Sequence, residues 1–181
     1  HCDFEFDLCE WKQDENDDFN WNLRTSSTTK LGTGPAVDHT LQELSGYYIF
    51  IKSSFLHLQG QKARIYSPVL SRRNKNCKVC GGMILAGMQN LISRLHQDNI
   101  LFYYHMYGAH TGSLIVYQRT MSENEKILVN LTGKQGNFWQ RKALNLVGDG
   151  DEDFQVIFEG VVGKGPKDSI ALDDITLSRE C

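Results

Sequence analysis

Leu101-Phe102-Tyr103-Tyr104-His105-Met106-Tyr107 is followed, after a turn bounded by Gly108 and Gly112, by Ser113-Leu114-Ile115-Val116-Tyr117-Gln118. Both runs are rich in aromatic and β-branched residues, which favour strands, and the intervening glycines indicate a tight connection. Glycine, Asn or Asp clusters also separate six further runs of this kind: 46–51, 63–67, 126–131, 139–146, 154–162 and 171–177. Short strands at regular spacing predict an all-β antiparallel sandwich or barrel.

One segment departs from this strand pattern. Between Met83 and Gln97, apolar residues recur at helical spacing, at Ile84, Met88, Leu91, Ile92 and Leu95. The segment is isolated in an otherwise all-β sequence. We therefore interpret it as a helical insertion on the fold.

Bulk composition narrows the range of functions. The 181 residues are 40% hydrophobic and 23% charged, which predicts one globular domain, 1–181. The net charge of −3 and the scattered basic residues argue against nucleic-acid binding. The sequence contains no apolar run of about 18 residues, so we expect no direct insertion into a membrane. Cysteines stand almost at both ends of the chain, and we expect it to be a module of a longer protein.

Five cysteines, at positions 2, 9, 77, 80 and 181, favour an oxidising compartment over the cytosol. A crosslink between the end of the chain and its middle would constrain a long loop of the unfolded state and contribute about 2–4 kcal/mol. Asn130-Leu131-Thr132 is an N-glycosylation sequon, which fits an exported protein.

A series of motifs then occurs in a fixed order along the chain. They are Cys2-Asp3-Phe4-Glu5 with Leu8-Cys9-Glu10-Trp11, Gly34-Pro35 with Asp38-His39-Thr40, Gly46-Tyr47-Tyr48, Ala63-Arg64-Ile65-Tyr66-Ser67-Pro68, Phe102 to Gly108, and Ile170-Ala171-Leu172-Asp173-Asp174-Ile175. Together they resemble the MAM domain, a family named from meprin, the A5 antigen and receptor tyrosine phosphatase mu. The His-Met-Tyr-Gly run is most similar to repeats of multi-MAM ectodomains that also carry low-density-lipoprotein-receptor class A modules.

The resemblance implies a jelly-roll-like sandwich of two antiparallel sheets, an extracellular or cell-surface location, and a role in adhesion or partner recognition. It also implies two disulfides, Cys2 with Cys9 and Cys77 with Cys181. Family domains pass from the mid-chain cysteine almost directly into the aromatic strand, whereas here residues 79–100 intervene. Removing 79–100 restores the family spacing and leaves an even number of cysteines, so we predict an insertion, from a variant exon or an unspliced segment.

Cys77-Lys78-Val79-Cys80 has the spacing of a redox motif or a zinc half-site. A zinc site needs two more ligands at suitable spacing and a redox site needs a βαβ context, and the sequence offers neither. We interpret one of the two cysteines as structural and Cys80 as unpaired. The opposite pairing, Cys80 with Cys181 and a free Cys77, stays open.

Five acidic residues are candidate ligands of a structural ion. Because both ends of the chain lie close together in the resembled fold, these carboxylates are expected to converge on one calcium or sodium ion, as in several MAM domains. The candidates are Glu5, Asp7, Asp38, Asp173 and Asp174. The alternative is that Asp17, Asp18 and Asp173 cap turns and pair with Arg or Lys at a solvated rim.

The sequence gives no support for catalysis. It lacks a Gly-x-Ser-x-Gly elbow, a His-Glu-x-x-His motif and a phosphate-binding glycine loop. We interpret His39 as ordering its loop through hydrogen bonds and His105 as a structural histidine. We predict that five large aromatic residues belong to the core: Trp11, Trp21, Phe102, Tyr104 and Trp139.

The function predicted from the sequence is a non-catalytic module that binds other proteins outside the cell. Its partner and binding face stay open, and a second copy of the same protein is one option. A glycan-binding jelly roll is the alternative, because sandwich modules with exposed aromatic residues bind sugars.

Overall fold

The structure, a computed structural model, describes residues 1–28, 34–51, 57–71, 99–146 and 152–178. Ten strands lie in these ranges: β1 Lys12–Gln13, β2 Asn22–Thr25, β3 Tyr47–Ile51, β4 Lys62–Tyr66, β5 Asn99–Met106, β6 Ser113–Thr120, β7 Glu125–Thr132, β8 Gly136–Asn145, β9 Phe154–Val161 and β10 Ile170–Ser178. A single 3-10 turn, Ser26–Thr28, is the one helical element there. No helix in the described ranges is long and apolar enough to cross a membrane.

The strands form two five-stranded sheets. The first has the order β1-β4-β9-β6-β7 and the second the order β2-β3-β10-β5-β8, and every pairing is antiparallel. The predicted all-β sandwich of two antiparallel sheets is confirmed.

The core lies between the sheets because the strands alternate apolar and polar residues. In β6, Leu114 and Val116 are buried while Ile115 and Tyr117 face outward and are half-buried. Trp11, Trp21, Phe102 and Tyr104 lie in the core cluster, as predicted, and the rings of Phe102 and Phe158 meet edge to face at 4.9 Å. Edge-to-face packing suits the charge distribution of aromatic rings.

A second, smaller apolar cluster covers the outer face of the second sheet. Tyr48, Phe50 and Ala171 are buried there, with Trp139 packed against them. Trp139 was predicted to belong to the core; instead it is half-buried in this cluster, where its indole N–H donates to the Val37 carbonyl at 2.8 Å. An indole needs a partner for its N–H, and the loop between β2 and β3 supplies one.

The structure extends the predicted elements in two places. The strands β1 and β2 were not predicted, because they are short and polar. Strand β5 begins at Asn99, and Ile100 is fully buried, so the last two residues of the predicted insertion 79–100 belong to the sandwich. The remainder of that insertion, with the predicted helix from Met83 to Gln97, lies outside the described residues and stays a prediction.

Candidate functional site

The beginning of the chain lies beside the last strand. Cys2 and Ile175 exchange two backbone hydrogen bonds of 2.8 and 2.9 Å. The pairing of β10 with β5 is irregular between Asp173 and Thr176, and Asp174 has a positive φ of 47°. This bulge turns the Asp174 side chain toward the N-terminal segment and the loop before β3, so the two regions that carry the predicted ligands do meet.

The two aspartates of the bulge are held by the loop before β3. Asp173 is fully buried, and its carboxylate accepts the backbone N–H groups of His39 and Asp174, each at 2.8 Å. Asp174 accepts a hydrogen bond from the Thr40 hydroxyl at 3.0 Å and contacts the ring nitrogens of His39 and His1. The prediction that His39 orders its loop through hydrogen bonds agrees with these contacts.

Two further carboxylates stand near this pair. Asp38 is fully buried and accepts the backbone N–H groups of Leu41 and Glu43. Glu5 accepts the Tyr47 N–H at 3.1 Å. Asp7 accepts the Cys9 N–H at 2.7 Å within the N-terminal loop.

The burial of these carboxylates and their mutual repulsion raise the pKa values of two of them. Burial, with a smaller contribution from the neighbouring carboxylates of Asp174 and Asp38, raises the pKa of Asp173 to about 8 against the lowering effect of two N–H donors. Burial also raises the pKa of Glu5, with Asp38 and Asp174 adding to the effect. Glu5, Asp38, Asp173 and Asp174 thus form one electrostatically coupled carboxylate cluster.

The oxygens of the carboxylate cluster are engaged by hydrogen-bond donors. Across the described ranges, no three Asp, Glu, His or Cys side chains are arranged to hold one ion. The oxygens accept backbone N–H groups instead, which is the turn-capping role that the sequence left open. The calcium or sodium ion stays a prediction.

The outer face of the first sheet carries a different constellation, which the sequence reading missed. Arg64 on β4 lies over the ring of Tyr117 on β6, with its guanidinium 5.3 Å from the ring centroid. Arg119 on β6 lies over the ring of Tyr66 on β4 at 5.6 Å. These two arginine–tyrosine pairs cross above β9, and we call the four residues the Arg–Tyr platform.

A buried acid beneath the platform fixes its geometry. The side chain of Glu159 is 3% exposed and lies 3.2 Å from the guanidinium of Arg64, which also meets Glu125 at 2.8 Å. The Tyr117 hydroxyl donates to Glu159 at 3.1 Å. Burial, followed by the charge of Glu159, raises the pKa of Tyr117 to about 12, so the hydroxyl keeps its proton as the donor.

The alternation of β4 and β6 places the platform on one face. Arg64 and Tyr66 are two residues apart, as are Tyr117 and Arg119, and the period of a strand is two. Tyr66 and Tyr117 both stand opposite Ile157, which is 1% exposed beneath them. The motif was present in the sequence, but its pairing across β9 needs the sheet order.

The other predicted site residues fall in three places. A disulfide joins Cys2 and Cys9, with their Cα atoms 5.7 Å apart. Cys77, Cys80 and Cys181 lie outside the described residues, and their pairing stays a prediction. His105 is buried, and its Nε2 lies 3.1 Å from the Asn137 amide oxygen. Burial lowers the pKa of His105, so the ring is neutral and suited to a structural role.

A family model of the MAM domain, meprin/A5/mu, matches residues 2–80 and 87–181. The chain belongs to the MAM domain family.

Curated relatives carry MAM domains within much longer proteins. The mouse MAM domain-containing glycosylphosphatidylinositol anchor protein 2 is 35% identical over 189 aligned positions, which cover 100% of this chain and 18% of that protein. The chicken MAM domain-containing glycosylphosphatidylinositol anchor protein 1 is 32% identical over 98% of this chain and 17% of its own length. The human MAM domain-containing protein 2 is 31% identical over 96% and 22%. None of these three names denotes an enzyme.

Solved structures share the fold of this MAM domain. The K1 cleaved adhesin domain of Lys-gingipain from Porphyromonas gingivalis W83 aligns with a TM-score of 0.61 at 14% identity, covering 99% of this chain and 96% of that one. TmCBM61 in complex with beta-1,4-galactotriose aligns with a TM-score of 0.50 at 11% identity, covering 94% and 88%. At such identities the likeness extends to the sandwich fold alone.

Proposed function

We propose that this MAM domain is a non-catalytic, extracellular module that binds a protein partner through the Arg–Tyr platform. The family membership supports an adhesion-type role, and the names of the glycosylphosphatidylinositol anchor relatives support a cell-surface location. We assign the binding face to the outer side of the first sheet because of its two crossed arginine–tyrosine contacts.

The platform has the chemistry of a protein-binding surface. Arg and Tyr are enriched in interface hot spots, because each combines a large contact area with directional hydrogen bonding. Glu159, Glu125 and Gln155 already fix the two guanidinium groups, so little side-chain freedom is lost when a partner binds. Arg119 is half-buried and remains accessible at the surface.

The same contacts disfavour glycan binding at the Arg–Tyr platform. Sugars stack on an aromatic ring whose face is free. Here a guanidinium covers one face of Tyr66 and one face of Tyr117, and Ile157 packs beneath both rings. A protein partner, which brings acidic and apolar side chains, fits this surface better than a saccharide does.

The test compares two charge reversals on opposite sheets. Arg119→Glu reverses the charge on the platform, whereas Arg141→Glu makes the same change on exposed β8 of the second sheet. Both variants and the native domain are screened against an array of human extracellular proteins, which includes the domain itself, and against a glycan array.

We expect protein binding that Arg119→Glu weakens about tenfold or more and Arg141→Glu leaves within about twofold. Equal effects of the two variants would show that the partner binds elsewhere. Binding to saccharides without binding to any protein would favour the glycan-binding alternative.

A further inference from the structure

The sandwich has four edge strands, and three of them are protected against pairing with another chain. An edge strand presents unpaired N–H and C=O groups, and proteins blunt such edges with short strands or charged side chains. Strand β1 has two residues and β2 has four. Strand β8 is long, but it carries Arg141 and Lys142 in its middle.

Strand β7 is the exception. After Glu125 and Lys126, its residues Ile127–Thr132 contain no charge, proline or glycine. Ile127 is 54% exposed, and β6 is the one strand that pairs with β7 among the described residues. All six residues are uncharged and five of them are apolar or β-branched, and on an open edge this is the composition of an aggregation-prone segment.

A bulge gives β7 only partial protection. Val116 stands opposite Val129 and the next residue, Tyr117, stands opposite Ile127, so Leu128 is the extra residue. Bulges twist an edge and disturb a regular ladder. Beyond the bulge, Asn130, Leu131 and Thr132 still pair with β6 in regular register.

The sequon occupies this regular part of the edge. Asn130-Leu131-Thr132 is the one sequon in the whole sequence. Asn130 and Thr132 are both exposed, and the Thr132 hydroxyl donates to the amide oxygen of Asn130 at 3.0 Å. Within the described part of the chain, the amide nitrogen Nδ2 of Asn130 makes no hydrogen bond, so it is free for substitution.

We propose that Asn130 carries an N-linked oligosaccharide, and that this oligosaccharide guards the β7 edge against pairing with a second copy of the chain. Asn130 stands opposite Ile115 on the outer face of the first sheet. A bulky hydrated group at that position prevents a second strand from approaching β7. Arg64 lies three strand spacings away across the sheet, about 14 Å, so the oligosaccharide borders the Arg–Tyr platform on one side.

The modification is a group transfer. Nδ2 of Asn130 loses a proton and forms a bond to the anomeric carbon of the oligosaccharide. The bond between that carbon and the phosphate oxygen of a lipid diphosphate breaks, and the lipid diphosphate leaves with the electron pair. The lipid-linked oligosaccharide is the co-reactant, and no oxidant or reductant is needed.

The first experiment measures occupancy. The chain is secreted from mammalian cells behind an added signal peptide, and its mass is determined before and after treatment with peptide N-glycosidase. We expect a loss of mass on treatment and conversion of residue 130 to aspartate in the tryptic peptide. Thr132→Ser should keep the modification, whereas Asn130→Gln should lose it. An unmodified Asn130 in the native chain would overturn the proposal.

The second experiment measures self-association by light scattering after size exclusion. The comparison uses secreted Asn130→Gln, which lacks the oligosaccharide and keeps an uncharged side chain, because peptide N-glycosidase would leave a charged aspartate at residue 130. A circular-dichroism spectrum that matches the native protein excludes a folding defect. We expect Asn130→Gln to shift to at least twice the monomer mass, while Asn130→Lys, which replaces the oligosaccharide with a charge, stays monomeric. A non-reducing gel excludes disulfide-linked dimers.

If Asn130→Gln stays monomeric at every concentration at which Asn130→Lys does, the guard role is wrong. The proposal relies on the export implied by the proposed function, but the added signal peptide imposes export. Its failure is therefore distinct from a failure of the Arg–Tyr platform to bind a partner.

Discussion

Asp173 is a buried carboxylic acid whose pKa is raised to about 8. It is fully buried on β10, where it accepts one backbone N–H from His39 in the loop before β3 and one from Asp174. Neighbouring Asp38 and Asp174 are also acidic, so ionisation of Asp173 places like charges close together. The Asp173 carboxyl group therefore favours its protonated, neutral form near pH 7.

This environment predicts a pH dependence of stability with a definite sign. The folded state keeps the Asp173 proton up to a pKa of about 8, whereas the ordinary value is 3.8. The folded state therefore binds more protons between these values, and its stabilisation is complete below pH 4 and is lost as the pH rises toward 8. The free energy of unfolding should fall by up to about 1.4 kcal/mol per pH unit in that window.

Asp173→Asn provides the control, because the amide resembles the protonated acid and does not titrate. Urea denaturation between pH 5 and 8.5, in chelator, should show the native protein losing stability relative to the variant as the pH rises, so that Asp173→Asn becomes increasingly the more stable of the two. A constant difference would contradict the raised pKa. The same series in calcium tests the predicted ion: bound calcium should raise the melting temperature most at high pH, and superimposable curves would remove the ion.

At the scale of elements, the sequence predicted eight of the strands, and the reason lies in their composition. In strand β6, half-buried residues alternate with buried ones from Ser113 to Gln118, and such alternation is a strong signal of a strand. Strands β1 and β2 lack it, because Lys12–Gln13 and Asn22–Thr25 are short edge strands that gain their pairing from β4 and β3. The Arg–Tyr platform was missed for a related reason: β4 and β6 are far apart in sequence, and only β9 between them brings their side chains together.

Two loops at one end of the sandwich pack closely because one contains Gly112 and the other Gly163. Neither the charge pattern nor the hydrophobic pattern of the sequence predicts this contact. A Cβ atom on Gly112 would overlap the Val161 carbonyl oxygen, and one on Gly163 would overlap the His110 carbonyl oxygen. The buried carboxylate of Asp168 accepts the Gly163 N–H at 2.9 Å and fixes this contact. The two loops are thus packed backbone against backbone.

Gly163→Ala should therefore lower the free energy of unfolding by about 3 kcal/mol, because backbone atoms cannot move aside as a flexible side chain can. Gly133→Ala is the matched control: its φ of 78° is strained for alanine, but no atom lies within 4 Å of the added Cβ. The control should lose about 1 kcal/mol. Urea denaturation measures both, and equal losses would show that the loops separate easily.

At the scale of the whole molecule, the described strands explain why the end of the chain and its middle are suited to a crosslink. Ser178 on β10 stands opposite Asn99, the first residue of β5. Position 181 is three residues beyond Ser178, and three extended residues reach at most about 10 Å from that strand end. Family spacing puts the mid-chain cysteine directly before that strand, whereas here Cys77 and Cys80 both precede it by about twenty residues.

Peptide mapping of the oxidised protein should accordingly find Cys2 joined to Cys9 and Cys77 joined to Cys181, with Cys80 reactive toward iodoacetamide. Cys77→Ser then opens the longer loop and should lower the free energy of unfolding by about 2–4 kcal/mol, because the unfolded chain regains the entropy that the crosslink removed. Cys80→Ser is the matched control and should change it by less than about 0.5 kcal/mol. The reverse order of the two losses would show that Cys80 holds the end of the chain and that the surplus thiol is Cys77, in which case the sequence inserted before β5 begins after the crosslink at Cys80 rather than after Cys77.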